Sequence, residues 1–421
     1  MKKLTLLLVV VLCLSVVAGA MAEEKVLRMW TFSDYGSGDL GAVTQKYADE
    51  FLAANYPDYK LVITAMGDDE LITSLTTAAM SGDMPELFVN SASYGALLAG
   101  YDAMINLYDL WNAEPEEYRA KFNEEAMKAF MPEEGVLYSM PFTGFSSYMF
   151  RNLDVLEAVG IDPNEEIVDT AMWMEQLKKV TDAGYYGTYR FNHAWWDFLQ
   201  IYSGFCNPDE WGIDYQKNES RINVEKMAQA VEFVHDIAPY GVDLGRGDQA
   251  AQDLFISNQM AFFPDGPWTD IVFGNTDVRY DVVPVPGKVA GKGHYGGVGG
   301  LEIFCVGNTP EWEVAYALAK HLCDTPHMME WGAINPRFLF NNEVLSTLAA
   351  EGYRVLEAEN KVSSSVCYNQ PPFFQKAVPG NYYSELVDML DMAVNGEIDD
   401  YVEAVQEVVD GMTEKVKEEY E

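Results

Sequence analysis

The residues of this chain that could do chemistry are chiefly aromatic and acidic. Trp195 and Trp196 stand side by side after His193, and Trp268 follows Asp265 by three positions in the segment DGPW. Flat aromatic faces stack on the apolar faces of ring compounds or on cations, and carboxylates accept hydrogen bonds from hydroxyl or ammonium groups. These residue types leave three chemistries open: recognition of a polyhydroxylated ring, capture of an organic cation, or hydrolysis of a glycosidic bond by two carboxyl groups a few ångströms apart. Metal chemistry is poorly supplied. His193, His235, His294, His321 and His327 form no i,i+4 pair and no HExxH motif, so no metal site is expected. The cluster GGVGG (296–300) lacks the last glycine of a dinucleotide fingerprint, and no glycine-rich loop ends in Lys-Ser/Thr, so no nucleotide cofactor is expected. With 27 basic against 66 acidic residues and a net charge of −39, the chain repels nucleic acid and anionic membranes and has few cations for a phosphate-bearing ligand.

Lys2 and Lys3 precede an unbroken apolar run from Leu4 to Val17, and Ala20 and Ala22 fit an A-x-A cleavage site before Glu23. The run is too short to cross a bilayer and is expected to be a secretory signal peptide, 1–22, removed from a periplasmic or secreted protein. Cys13 follows the bulky Leu12, which does not suit lipid attachment. Loss of the leader removes two lysines and no acid, taking the charge from −39 to −41. Roughly 400 residues remain, enough for two lobes of ordinary size. Cys206, Cys305, Cys323 and Cys367 are too few and too far apart for a disulfide framework or a zinc motif, and buried thiols, free or partly paired, are expected.

The elements that must position these residues alternate between strand and helix, which predicts an α/β architecture. Val26–Thr31 reads as a first strand, left by the polar loop FSDYGSGD, and Leu40, Val43, Tyr47 and Phe51 recur at helical spacing behind it. Leu61–Ala65 and Glu86–Asn90 read as further strands, with a helix over Leu71–Met80 and a GDMP break between them. Thr309 and Pro310 look like the N-cap and first-turn proline of a helix bearing Val314, Leu318 and Leu322. Val402, Val405, Val409, Met412 and Val416 form one apolar stripe near the C-terminus.

In this order the landmarks resemble a known family. SGDMPELFVNSASYG (81–95), GVLYSMPF (135–142), YMFRNLDVLEAVGIDP (148–163), DLFISNQMAFFPDGPW (253–268), YDVVPVPG (280–287) and INPRFLF (334–340) are similar to segments of the solute-binding proteins of sugar ABC importers, the maltose-binding-protein-like group. Asn258 and Gln259 depart from the family's usual Gly-Lys, and Arg151 from a common Asn. The resemblance implies a two-lobed periplasmic-binding-protein fold with a hinge and an interlobe cleft, the N-terminal lobe comprising 23–141 plus 294–336 and the C-terminal lobe 142–293 plus 337–421. Crossings are expected near Met140–Gly144, near Pro286–Gly300 and after Arg337.

The resemblance also implies a function without catalysis: a sugar or oligosaccharide is captured by hinge closure and delivered, by a monomer without cofactor, to ABC permease subunits in the membrane. The implied ligand contacts are Trp30, Asp34 and Tyr35 after the first strand, Asn90 and Tyr94 after the third, Trp195, Trp196, Asp265 and Trp268 in the second lobe, and Arg337. Trp268 with Trp195 or Trp196 would stack on the ligand ring, and Asp265 would accept from its hydroxyls. Trp30 could equally pack under its lobe, Asp265 could shape the turn beside Gly266 and Pro267, and Arg337 could serve an ion pair. The same fold binding a polyamine or another organic cation is one alternative, and a secreted carbohydrate-active enzyme is another.

Overall fold

The computed structural model describes residues 25–420 apart from 92–94, 123–126, 128–129, 132–133, 146, 208–209, 211–212, 215–218, 289–299 and 363–381. The expected leader, Tyr94, Cys367 and the cluster 296–299 lie outside the described residues, as do the side chains of Asp34, Trp196 and Val416.

Lys25–Phe32 (β1) alternates as a strand with one covered face should: Leu27 and Met29 are buried, while Arg28 between them pairs with Glu86. Tyr59–Met66 (β2) runs parallel to it from Lys25↔Tyr59 to Phe32↔Met66, and Leu87–Ser91 (β3) is parallel on the other side. Parallel neighbours need crossovers, supplied by the helices Gly38–Asn55 (α1) and Asp68–Ser81 (α2). The helix α1 buries Leu40, Val43, Ala48 and Leu52, with Tyr47 and Phe51 packed at the edge of the core. The segment expected to be a loop after β1 instead makes one helical turn, Ser33–Gly36, because Tyr35 is drawn into the core against Phe32, Phe142 and Trp331.

The other strands of the two main sheets are Met140–Phe145 (β4), Tyr148–Asn152 (β5), Phe262–Asp265 (β6), Tyr280–Pro284 (β7), Gly300–Val306 (β8) and Phe338–Leu339 (β9). A six-stranded sheet has the order β9-β4-β8-β3-β1-β2, and a separate three-stranded antiparallel sheet the order β6-β5-β7. Each sheet sits in its own core. The second core is aromatic: Phe255 stacks on Phe273 at 4.5 Å between centroids, and Phe150 and Phe263 meet Phe273 edge-on. Around it lie Trp195–Tyr202 (α3) and Trp268–Gly274 (α4), together with the C-terminal helix Tyr401–Tyr420, which buries Val405, Val409 and Met412. Val402, in the first turn of that helix, is exposed.

Two local expectations change. The helix after Pro310 begins at Trp312 with Glu311 at its cap, because residues 309–312 close a turn in which the Trp312 N–H donates to the Thr309 carbonyl. The resemblance implies that the segment DGPW is the end of a strand, but β6 stops at Asp265; Pro267 takes helical angles, φ −64° and ψ −22°, so Trp268 opens α4. The two departures from the family pattern are accommodated locally. Asn258 holds a left-handed φ of 58°, which asparagine tolerates, and accepts from Asn152 Nδ2 at 2.9 Å. Arg151 is buried and pairs with Asp281 at 2.5 Å.

The chain passes between the two cores three times. It leaves the first sheet at Phe145 and enters the second at Tyr148, and it returns between Pro284 and Gly300. Although the third crossing was expected after Arg337, residues 339–349 stay in the first core through Leu339, Phe340, Val344, Leu345 and Leu348. The helix Arg354–Val362 (α5) belongs to both, with Leu356 in the first core and Val355 and Ala358 in the second. On α5, Glu359 is fully buried and accepts from the Tyr148 hydroxyl, while Arg354 lies 4.6 Å from the Tyr280 ring centroid. The first and third crossings therefore meet at one helix.

Candidate functional site

In the second lobe, three distant segments converge on one guanidinium. The first turn of α3 supplies Asp197, the carboxyl end of β6 supplies Asp265, and the loop GRGD (245–248) supplies Arg246. The loop is held tight: Gly245 N–H donates to Asp248 Oδ2 at 2.7 Å, and a Cβ on Gly245 would fall 2.8 Å from His193 Cβ. Arg246 Nε donates to Asp197 Oδ1 at 3.0 Å and Nη1 to Asp265 Oδ1 at 2.8 Å. Both acidic side chains are 2 % exposed, whereas the Arg246 side chain keeps 23 %.

Asp265 is saturated. Oδ1 also accepts from Gly266 N–H at 2.7 Å and Trp268 Nε1 at 3.1 Å, and Oδ2 accepts from Thr269 Oγ1 at 2.5 Å. The residue expected to meet ligand hydroxyls thus anchors the half-buried Trp268 indole and the guanidinium, whose carbon lies 5.7 Å from the Trp268 ring centroid. Gly266 lies against the same ring, since a Cβ there would fall 2.2 Å from Trp268 Cη2. Burial pushes the Asp197 carboxyl up to about 6, with Arg246 working the other way. Burial also raises Asp265 against the pull of Arg246, Thr269 and the Gly266 N–H. Burial lowers the Arg246 pKa, but the two carboxylates outweigh it and the pKa is raised.

In the first lobe the structure joins Tyr35 and Arg337, 302 positions apart: Arg337 Nη1 donates to the Tyr35 hydroxyl at 2.8 Å, and the guanidinium lies 4.9 Å from the Tyr35 ring centroid. Asn335 Oδ1 accepts from Arg337 Nε at 3.2 Å. Trp30 is half-buried in β1 opposite Phe88, and Asn90 is buried two residues further along β3, opposite Ile303. Trp195 is half-buried against the second core at the start of α3. The structure thus joins Tyr35 with Arg337 in the first lobe and Asp265 with Trp268 in the second. Sequence reasoning missed Arg246 and Asp197. The available signals were a lone arginine between two glycines in a chain with 27 basic residues, and an acid directly after the Trp195–Trp196 pair. Among the described residues no group of three or more His, Cys, Asp or Glu is arranged to hold a metal ion.

Two α/β cores linked by three crossings, with aromatic and polar side chains near the carboxyl ends of strands in both sheets, define the periplasmic-binding-protein class. The family of bacterial extracellular solute-binding proteins matches residues 46–349, and the chain belongs to that family, which places it outside the cytoplasm. No curated protein matches it in sequence. Several solved structures share the fold. An ABC substrate-binding protein from Listeria monocytogenes in complex with cycloalternan is 18% identical, with a TM-score of 0.72 over 94% of this chain and 99% of that one. A cyclic alpha-maltosyl-1,6-maltose binding protein from Arthrobacter globiformis is 15% identical, with a TM-score of 0.76 over 93% and 99%. The Thermus thermophilus maltotriose binding protein bound with maltotriose is 16% identical, with a TM-score of 0.67 over 93% and 100%.

Proposed function

We propose that this protein captures a neutral saccharide between its lobes and delivers it to an ABC permease, without chemical change to the sugar. The observation that carries the reading is the arrangement at the end of β6, where an indole is fixed edge-on by a buried carboxylate and flanked by a guanidinium. That arrangement offers an aromatic face and hydrogen-bond donors, which ring C–H faces and hydroxyl oxygens require. A cation would need exposed carboxylates, yet the side chains of Asp197 and Asp265 are each 2 % exposed and committed to Arg246. The same commitment speaks against their acting as a hydrolytic pair, because each is turned to the shared guanidinium. The fold shared with saccharide-binding proteins supports the same ligand class.

In this reading Trp268 with Trp195 or Trp196 stacks on the ligand from the second lobe. The first lobe contributes Trp30, Asp34, Tyr35, Asn90, Tyr94 and Arg337, of which Tyr35 and Arg337 form a preset pair. Asp265 acts through Trp268 and Arg246. The lobes are 23–145 with 300–350, and 148–284 with the chain after α5, so closure bends the three crossings between them. Closure follows only if the ligand touches both lobes, since a ligand bound to one has no preference for the closed form. The leader 1–22 is removed and the mature protein is soluble outside the cytoplasm. The test is mass spectrometry of the natively purified protein followed by titration with maltose, maltotriose, cycloalternan, tagatose and spermidine. A bound saccharide is expected; tight binding of spermidine with no saccharide bound, or turnover of an oligosaccharide, would replace this reading.

A further inference from the structure

Arg246 carries more donors than its ion pairs consume. Nε is used by Asp197 and Nη1 by Asp265, and Nη2 has no hydrogen-bond partner among the described residues. A single carboxylate would neutralise the charge; two, from α3 and from β6, fix the plane of the guanidinium as well. The group is held beside the Trp268 ring on a side chain that keeps 23 % of its surface exposed, while the carboxylates behind it are closed off. We infer that Arg246 is a specificity-determining residue of the ligand site, its Nη2 donating a hydrogen bond to one oxygen of the saccharide ring that lies on Trp268. This rests on the saccharide reading above.

The chemistry of the partner oxygen follows from the surroundings. One guanidinium facing two carboxylates has no surplus positive charge to attract an anion, so the matching group is a neutral hydroxyl or ring oxygen rather than a uronate carboxylate. Lysine cannot replace the arginine, because an ammonium on a flexible stem cannot hold both carboxylates and still present a third donor in the same plane. The local signature is therefore selectivity for one oxygen position. A purely structural ion pair would not show it.

The experiment titrates wild-type protein and Arg246→Lys, by calorimetry, with the tightest-binding saccharide of the panel and with its monodeoxy derivatives, after thermal melts establish that the variant is folded. The expected result has two parts. Arg246→Lys weakens the parent saccharide 10- to 100-fold, and the one deoxy derivative that binds poorly to wild type binds the variant as well as the parent does. Unchanged affinity and an unchanged order of the derivatives in a folded Arg246→Lys protein would overturn the inference and leave the saccharide reading intact. Failure of the wild type to bind any panel saccharide would remove that reading and this inference together. If Arg246→Lys does not fold, arginine side-chain NMR of the wild type decides: the Arg246 Nη–H signals must shift with the parent saccharide and stay in place with that derivative, and equal shifts with both would overturn the inference.

Discussion

Gly266→Ala is the smallest change that reaches the proposed stacking platform. The added Cβ would lie 2.2, 2.3 and 2.5 Å from Cη2, Cζ2 and Cζ3 of Trp268. Carbon atoms in contact sit about 3.5–4.0 Å apart, so the ring must retreat by more than about 1 Å. Retreat is resisted, because Trp268 Nε1 is bonded to Asp265 at 3.1 Å and the neighbouring Thr269 hydroxyl is bonded to the same carboxylate. The ring therefore loses its hydrogen bond or its angle to the ligand. Loss of a stacking face is worth about 1–3 kcal/mol, which weakens saccharide binding about 5- to 150-fold. Calorimetry against the panel saccharides measures this, with Gly67→Ala as the control substitution, since a Cβ at Gly67 meets nothing within 4 Å. Wild-type affinity for every saccharide in a folded Gly266→Ala protein would show that Trp268 takes no part in binding and that the second-lobe site is misplaced.

Acidification should act in opposite senses on the two lobes. Asp197 is raised from 3.8 to about 6, so the folded state holds its proton more tightly; its contribution to stability is fully present below about pH 4 and is lost as the pH rises through about 6, by at most about 3 kcal/mol. In urea unfolding across that range, Asp197→Asn should abolish this fall, and a wild-type-like slope in the variant would contradict it. His327 is lowered from 6.5 to about 4 by burial in the first core, so its contribution is present above about pH 6.5 and is lost as the pH falls through about 4, again by about 3 kcal/mol at most. Hydrogen exchange at pH 5 and pH 7.5 should show the first core opening more readily at the lower pH; equal protection there would refute this. Tyr148→Phe removes the bond to Glu359 between the first and third crossings and should lower stability by about 1–3 kcal/mol, read from denaturant midpoints.

The first three strands and the two helices between them were legible, and in β1 and α1 the reason is a period of their own: alternation in β1 and the 3–4 spacing of α1 record a covered face directly. Tyr35 was legible as a candidate, yet not the helical turn around it, because that turn depends on rings from β4 and from Trp331 that lie far away in the chain. Trp268 was singled out for the motif around it, whereas the saturation of Asp265 could not be read, since its partner Arg246 lies 19 positions upstream in a segment without periodicity. Asp197 was one acid among 66, and only burial and Arg246 set it apart. The third crossing was misplaced for a related reason. The helix α5 divides its apolar residues between two cores, Leu356 facing one and Val355 and Ala358 the other, so no single stripe marks it as a boundary.

The central claim is that a neutral saccharide lies on Trp268 beside Arg246. A crystal structure of the protein with its tightest-binding panel saccharide tests it most directly. The account predicts a sugar ring within about 4 Å of the Trp268 ring and one sugar oxygen about 2.9 Å from Arg246 Nη2, with Asp197 and Asp265 still bound to the guanidinium. A saccharide bound away from Trp268, or one whose hydroxyls displace Arg246 from Asp265, would contradict it.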